Sequence, residues 1–344
     1  MSCGERRSGR RPLIRALITG GAGFIGLHLA RRLVADGWRV DLVDDFSRGA
    51  RDAELARLAE QPGVGIIPRD LTVPGALDDV RRDYNYVFHL AAVIGVARVL
   101  EDPYRVLDAN VAMTRNTLAA ARGQRSLERF AFLSTSEVYA GSLEHIDLAL
   151  PTPESAPLVV PDLSHPRTSY MLSKVYGEAL CQHAGIPFTI FRPHNVYGPR
   201  MVPEHVIPEL LQRADRTPNG GELEVYSVNH RRTFCYVDDA IEIIVRAVRS
   251  SSCADKTLNV GAERPEITIG QLAELVISTV GKKLTVLPRP PTAGSPARRC
   301  PDMSLTAALT GFTAEVDLER GVRETYAWYR ESSGARVVRL DAGR

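Results

Sequence analysis

An α/β protein with a doubly wound parallel sheet and a smaller C-terminal α/β lobe is the fold this sequence predicts, on three observations. Short apolar runs alternate with longer amphipathic stretches from Leu13 onward, the rhythm of βαβ units. A glycine-rich turn joins the first strand-like run to the first helix-like one. From about Gly198 the texture changes to shorter, proline-interrupted elements.

The elements follow in order. LIRALIT reads as a strand, LHLARRLVADG as a helix, WRVDLVDD as a second strand and AELARLAE as a second helix. VGIIPRD, YVFHLAAV and RFAFLSTS continue the strands, with helical ANVAMTRNTLAAARG before the last of them. Crossovers of this length carry helices and make the strands they join parallel. Residues 140–166, rich in Pro, Ser and Leu without clean periodicity, predict a long loop beside the sheet, and loops of that length are functional or disordered. A helix, SYMLSKVYGEALCQHAG, and a strand, PFTIFRP, come next. The expected organisation is a disordered basic arm over 1–12, the main domain over 13–197, the smaller lobe mainly over 198–330 and a loose tail over 331–344.

Composition excludes several classes. With 43 Lys plus Arg against 41 Asp plus Glu, the net charge of +2 is too even to recruit nucleic acid or anionic lipid by bulk electrostatics. No apolar run approaches the roughly 18 residues that a membrane span requires. The five cysteines form no CxxC pair, which argues against a disulfide framework or a zinc site and for a cytoplasmic home, and no metal is expected.

At the first turn, TGGAGFIG places Gly20, Gly23 and Gly26 between strand and helix. Glycine there lets the chain turn sharply, lets backbone approach a pyrophosphate, and packs the helix on the sheet, whose N-terminus offers free N–H groups. In this strand–turn–helix context the GxxGxxG spacing points to dinucleotide binding. Asp44, at the end of the next strand, falls where a carboxylate accepts hydrogen bonds from the adenine ribose, favouring NAD; Arg48 nearby keeps open a 2′-phosphate and NADP. Asp70-Leu71 and His89-Leu90-Ala91-Ala92 also lie at strand C-termini, the ligand-binding edge of such sheets.

Tyr170 and Lys174 sit four residues apart in a predicted helix and so share a face. A phenol with an ordinary pKa near 10 is a poor base, but a nearby ammonium and a cationic nicotinamide ring would stabilise its phenolate. Upstream, RFAFL runs out into Ser134-Thr135-Ser136-Glu137, hydroxyls and one carboxylate beside the expected nicotinamide. There Thr135 can hydrogen-bond a substrate hydroxyl while Tyr170 takes its proton, and Glu137 can remove the proton that the resulting ketone acidifies.

Together TGGAGFIG, LVDD, RDL, HLAA, STSEVY, YMLSK and RPHNVYGPRM resemble the extended short-chain dehydrogenase/reductase family, specifically its nucleotide-sugar epimerases, dehydratases and decarboxylases. The resemblance spans nearly the whole chain. It implies a tightly held, recycled NAD, a C-terminal lobe that holds a UDP-sugar, oxidation at C4, and a homodimer built on the helices around Asn110 and Tyr170. By motif it implies cofactor binding by Gly20, Gly23, Phe24, Ile25, Gly26, Asp44, Asp70, Leu71, Leu90, Ala91, Ala92, Tyr170 and Lys174. It further implies catalysis by Thr135, Glu137, Tyr170 and Lys174, with Thr135, Ser136, Asn195, Arg200, Arg232 and Arg299 on the substrate. STSEVY and the segment around Arg299 are most similar to UDP-glucuronate decarboxylases, which tilts the expectation toward chemistry beyond epimerisation. A simple 4-epimerase, an NADPH-consuming reductase and a non-catalytic NAD-binding regulator stay open as alternatives.

Overall fold

The computed structural model describes residues 13–291 and 296–334. Seven strands form the central sheet: β1 (Arg15–Thr19), β2 (Arg39–Asp44), β3 (Val64–Pro68), β4 (Tyr86–His89), β5 (Arg129–Leu133), β6 (Phe188–Pro193) and β7 (Lys256–Val260). Their order in space is β7-β6-β5-β4-β1-β2-β3, and every neighbouring pair is parallel. The chain runs outward from β1 through β2 to β3, then returns to lay β4 on the other side of β1. That reversal opens a crevice beyond the C-terminal ends of β1 and β4.

The near-continuous apolar strands follow from burial on both faces. In β1, Ala16 and Ile18 pack into the layer of Leu27, Leu29 and Leu33, while Leu17 joins Val87, Phe130 and Phe132 on the opposite side. Successive side chains of a strand alternate faces, so five residues serve two cores.

Helix Pro166–His183 buries Met171, Lys174, Glu178 and Cys181, a stripe at helical spacing, and packs beside helix Pro103–Arg122. Pro166 opens it at a position where its missing N–H costs nothing. A Cβ on Gly177 would come 2.4 Å from the ring of Phe132, so a glycine is what lets this helix lie close against β5.

Three expectations are corrected. Residues 140–166 are not loop throughout: a 3-10 turn at Ser136–Tyr139 leads into a short helix, Ala140–His145, before the irregular stretch begins. The segment after 197 is not lobe alone, because β7 and helix Val237–Arg249 return to the central sheet. The tail does not begin at Glu331, since helix Leu318–Gly334 carries on through it. The arm over 1–12 and the tail beyond 334 lie outside the described residues. No helix among the described residues is long and apolar enough to cross a membrane.

The smaller lobe is built from short pairings. Glu222–Tyr226 runs parallel to Thr285–Arg289, and Arg231–Arg232 lies between Ile267–Thr268 and Arg298–Arg299. The register sets Arg232 beside Arg299, and the two guanidinium charges act on each other.

Candidate active site

The glycine turn is built for close approach. Gly20 has φ +70°, and a Cβ there would sit 2.8 Å from the amide nitrogen of Ala91. A Cβ on Gly26 would lie 2.2 Å from the carbonyl oxygen of Gly20. Gly26→Ala is therefore expected to spread the turn at a cost of about 1–3 kcal/mol and to strip NAD from the purified protein, read by the nicotinamide released on denaturation; full retention would show that the turn has slack.

Asp44 ends β2 with its carboxylate buried. Its Oδ2 accepts from the Ala22 amide at 2.9 Å and its Oδ1 from the Phe46 amide at 2.8 Å. Burial raises its pKa, against the pull of those two amides and of Arg200. Helix Phe24–Ala35 begins at Gly23 with no side-chain cap, leaving its first amides for a ligand. A glycine cradle with no room for Cβ atoms, an open helix N-terminus and a carboxylate at the ribose position together fit a dinucleotide.

One cavity of about 1280 Å³ joins the two ends of the site. Its nucleotide end is lined by Gly20, Gly23, Phe24, Ile25, Gly26 and Asp44, with Asp70, Leu71, Leu90, Ala91 and Ala92 at the neighbouring strand ends. Its other end is lined by Thr135, Ser136, Glu137, Tyr170, Lys174, Asn195 and Arg299. Arg200 departs from its expected role toward substrate. Buried and at φ +69°, it donates to Asp52 at 2.6 Å and to the carbonyls of Ala22, Gly23 and Ala50, so its fork is spent clamping the nucleotide turn.

At the chemical end, Thr135 stands near enough to the Tyr170 phenol to favour its charged form. Thr135 Oγ1 also accepts from the Glu137 amide at 3.2 Å, capping the 3-10 turn that presents Glu137. Lys174 differs from expectation. Its ammonium donates to the Leu133 carbonyl at 2.8 Å, and burial brings its pKa down to about 8. Burial, with Glu137, keeps the Tyr170 phenol above its ordinary range, and the cation that opposes them is Arg48. In the protein alone the phenol therefore stays protonated.

Glu137 is the charged centre of this end. Arg299 Nη1 donates to it at 2.8 Å, and Arg167 stands 3.9 Å away. Burial disfavours its charge, but Arg299, Arg167 and Arg232 outweigh that and hold the carboxyl below its ordinary pKa. Arg232 itself donates to the carbonyls of Arg231, Pro296 and Ala297. It lines a second cavity of about 440 Å³, which shares Asn195 with the first.

Residues 16–261 match the NAD dependent epimerase/dehydratase family. The chain belongs to that family. It is 32% identical over 330 residues to the UDP-N-acetyl-alpha-D-glucosaminuronate decarboxylase of Bacillus cytotoxicus, covering 92% of this chain and 98% of that one. It is 28% identical over 358 residues to UDP-glucuronic acid decarboxylase 1 of Arabidopsis thaliana, covering 99% of this chain and 76% of the relative. Among solved structures, the UDP-glucose 4-epimerase of Thermotoga maritima superposes with a TM-score of 0.81 at 26% identity, covering 93% of this chain and all of the other. The protein is an NAD-dependent enzyme of the epimerase/dehydratase family.

Several supports of this family site were not singled out from the sequence. Asn110, in helix Pro103–Arg122, accepts from the Val93 amide at 2.7 Å and donates to Ser173 at 3.2 Å, tying the cofactor loop to the helix of Tyr170. Glu178 takes two hydrogen bonds from Arg192, at 2.9 and 2.6 Å, and one from Ser134. Glu178 lies one helical turn beyond Lys174, which was the available signal. Arg48 is legible only as a cofactor alternative and Arg167 is not singled out at all; only folding brings them to Tyr170 and Glu137.

Proposed function

We propose that this family member decarboxylates a UDP-linked hexuronic acid, the class that the names of its decarboxylase relatives carry, through a C4 ketone. The observation that supports it most is the Glu137–Arg299 pair, flanked by Arg167, in the same cavity as Thr135 and Tyr170. NAD, when bound, supplies the acceptor for the C4 hydride and its return. Thr135 and Tyr170 bracket the C4 hydroxyl, and Tyr170 takes its proton. The sugar is then a β-keto acid: its C5–C6 bond breaks, CO2 leaves, and the bonding pair becomes an enolate whose oxygen Tyr170 and Thr135 hold by hydrogen bonds. A proton from solvent is added at C5, and Tyr170 finally returns its own to the C4 oxygen.

In this reading Glu137 removes no proton, because loss of CO2 supplies the electron pair. Its ionised carboxylate orients Arg299, whose guanidinium, beside that of Arg167, suits a sugar carboxylate. The nucleotide would run past Asn195 toward Arg232 and the second cavity. We further propose a homodimer, since Leu100, Tyr104 and Tyr176 are large exposed apolar residues on or beside the two long helices; light scattering at the monomer mass would remove it.

The test is incubation with UDP-glucuronate, UDP-N-acetylglucosaminuronate and UDP-glucose in deuterated water, followed by mass and NMR analysis. A uronate product lacking CO2 and carrying one deuteron at C5 is expected. Loss of water, or an epimer of unchanged carbon content, would assign the protein to the other branches of its family.

A further inference from the structure

This inference rests on the decarboxylase reading of the Glu137–Arg299 pair and concerns what holds the other end of Arg299. His194 stands between Pro193 and Asn195, which line the main cavity, but its own ring is only 1% exposed. Its tautomer is set by its neighbours. Asn259 Nδ2 donates to the carbonyls of Thr152 and Asp302, each at 3.0 Å, so Asn259 Oδ1 is an acceptor. The Tyr139 hydroxyl donates to that Oδ1 at 3.0 Å, and His194 Nε2 lies 3.1 Å from it. Nε2 must therefore carry the hydrogen, and Nδ1 a bare lone pair. Burial, with Arg299 and Arg192 nearby, brings the ring's pKa down to about 3, so it stays neutral.

That Nδ1 is buried with no protein partner among the described residues. The same is true of Arg299 Nε, on the guanidinium whose Nη1 binds Glu137. Thr152 Oγ1 is a third such atom. The Thr152 amide donates to the Cys300 carbonyl at 2.8 Å, the Asp302 amide donates to the Thr152 carbonyl at 2.9 Å, and Gly261 is wedged between Pro301 and His194. A lone pair, an N–H and a hydroxyl that can do either are the three partners a buried water typically takes.

We propose that His194 is a positioning residue for Arg299, its Nδ1 holding the Arg299 Nε–H through one buried water that Thr152 also binds. Glu137 fixes one end of the guanidinium and the water fixes the other. The remaining N–H groups are then aimed where a sugar carboxylate must sit.

Nitrogen NMR of the holoenzyme labelled on histidine reads the tautomer directly; hydrogen on Nε2 and none on Nδ1 is expected, and an Nδ1–H form overturns the proposal whatever the activity. Two variants separate the ring nitrogens. H194Q keeps a donor toward Asn259 and loses Nδ1, whereas H194N keeps an acceptor at the Nδ1 position and loses the donor. At equal NAD content, H194Q is expected to lose about tenfold in kcat/KM for the uronate with affinity for UDP alone unchanged, and H194N to retain most of the activity. Wild-type behaviour of H194Q, or equal loss in both variants, overturns it. If H194Q does not fold, the NMR result decides alone. Failure of the wild-type enzyme to release CO2 would defeat the decarboxylase reading and leave the tautomer measurement standing.

Discussion

Tyr170→Phe is expected to lower turnover by about 10²–10⁴ while leaving NAD bound and the fold intact. The hydroxyl lies in the cavity beside Thr135, where we propose that it accepts the proton. Phenylalanine keeps the ring and removes only that oxygen, so the loss belongs in kcat, with little change in affinity for the nucleotide sugar. Because burial holds this phenol above its ordinary range, and Lys174 is engaged with the Leu133 carbonyl, charge from the oxidised ring is needed for activation. Turnover of Y170F within a factor of about ten of wild type would move the proton-accepting role elsewhere.

Glu178→Ala is expected to destabilise the protein by about 3–5 kcal/mol, measured by denaturant unfolding of the NAD-bound form. Its carboxylate and Arg192 are 9% and 6% exposed, so removing one partner strands the other in the interior. The damage reaches the site as well. Arg192 also donates to the Tyr139 hydroxyl at 2.7 Å, and Ser134 donates to Glu178, so the residues flanking Thr135 and Glu137 lose their anchors. The double variant E178M/R192M leaves no stranded charge and is expected to recover much of the stability without the full activity. Equal stability of E178A and wild type would show that the pair contributes little.

Legibility differs from residue to residue for physical reasons. The glycine turn, Asp44 and the Tyr170–Lys174 spacing were readable because each is a local requirement: a turn that excludes Cβ, a carboxylate at a strand end, two side chains on one helical face. The direction of Arg200 is not legible from its motif position, and its guanidinium folds back across the chain to Asp52 and the Ala22 carbonyl. Lys174 was placed on the right face, but a backbone carbonyl, invisible as sequence text, takes its ammonium. Glu137 was readable as a carboxylate at the site and not as one whose charge is held by three arginines from remote segments.

The amino-acid order by itself determined the parallel α/β architecture, the glycine turn and the shared helical face of Tyr170 and Lys174, because periodicity, glycine sterics and helical spacing act over a few neighbouring residues. Only the tertiary structure decided that Arg299, Arg167 and Arg232 converge on Glu137, that Arg48 faces Tyr170, and that β7 returns to the main sheet. Those contacts join residues far apart in the chain. Their energies depend on distance and burial, which exist only once the chain has folded.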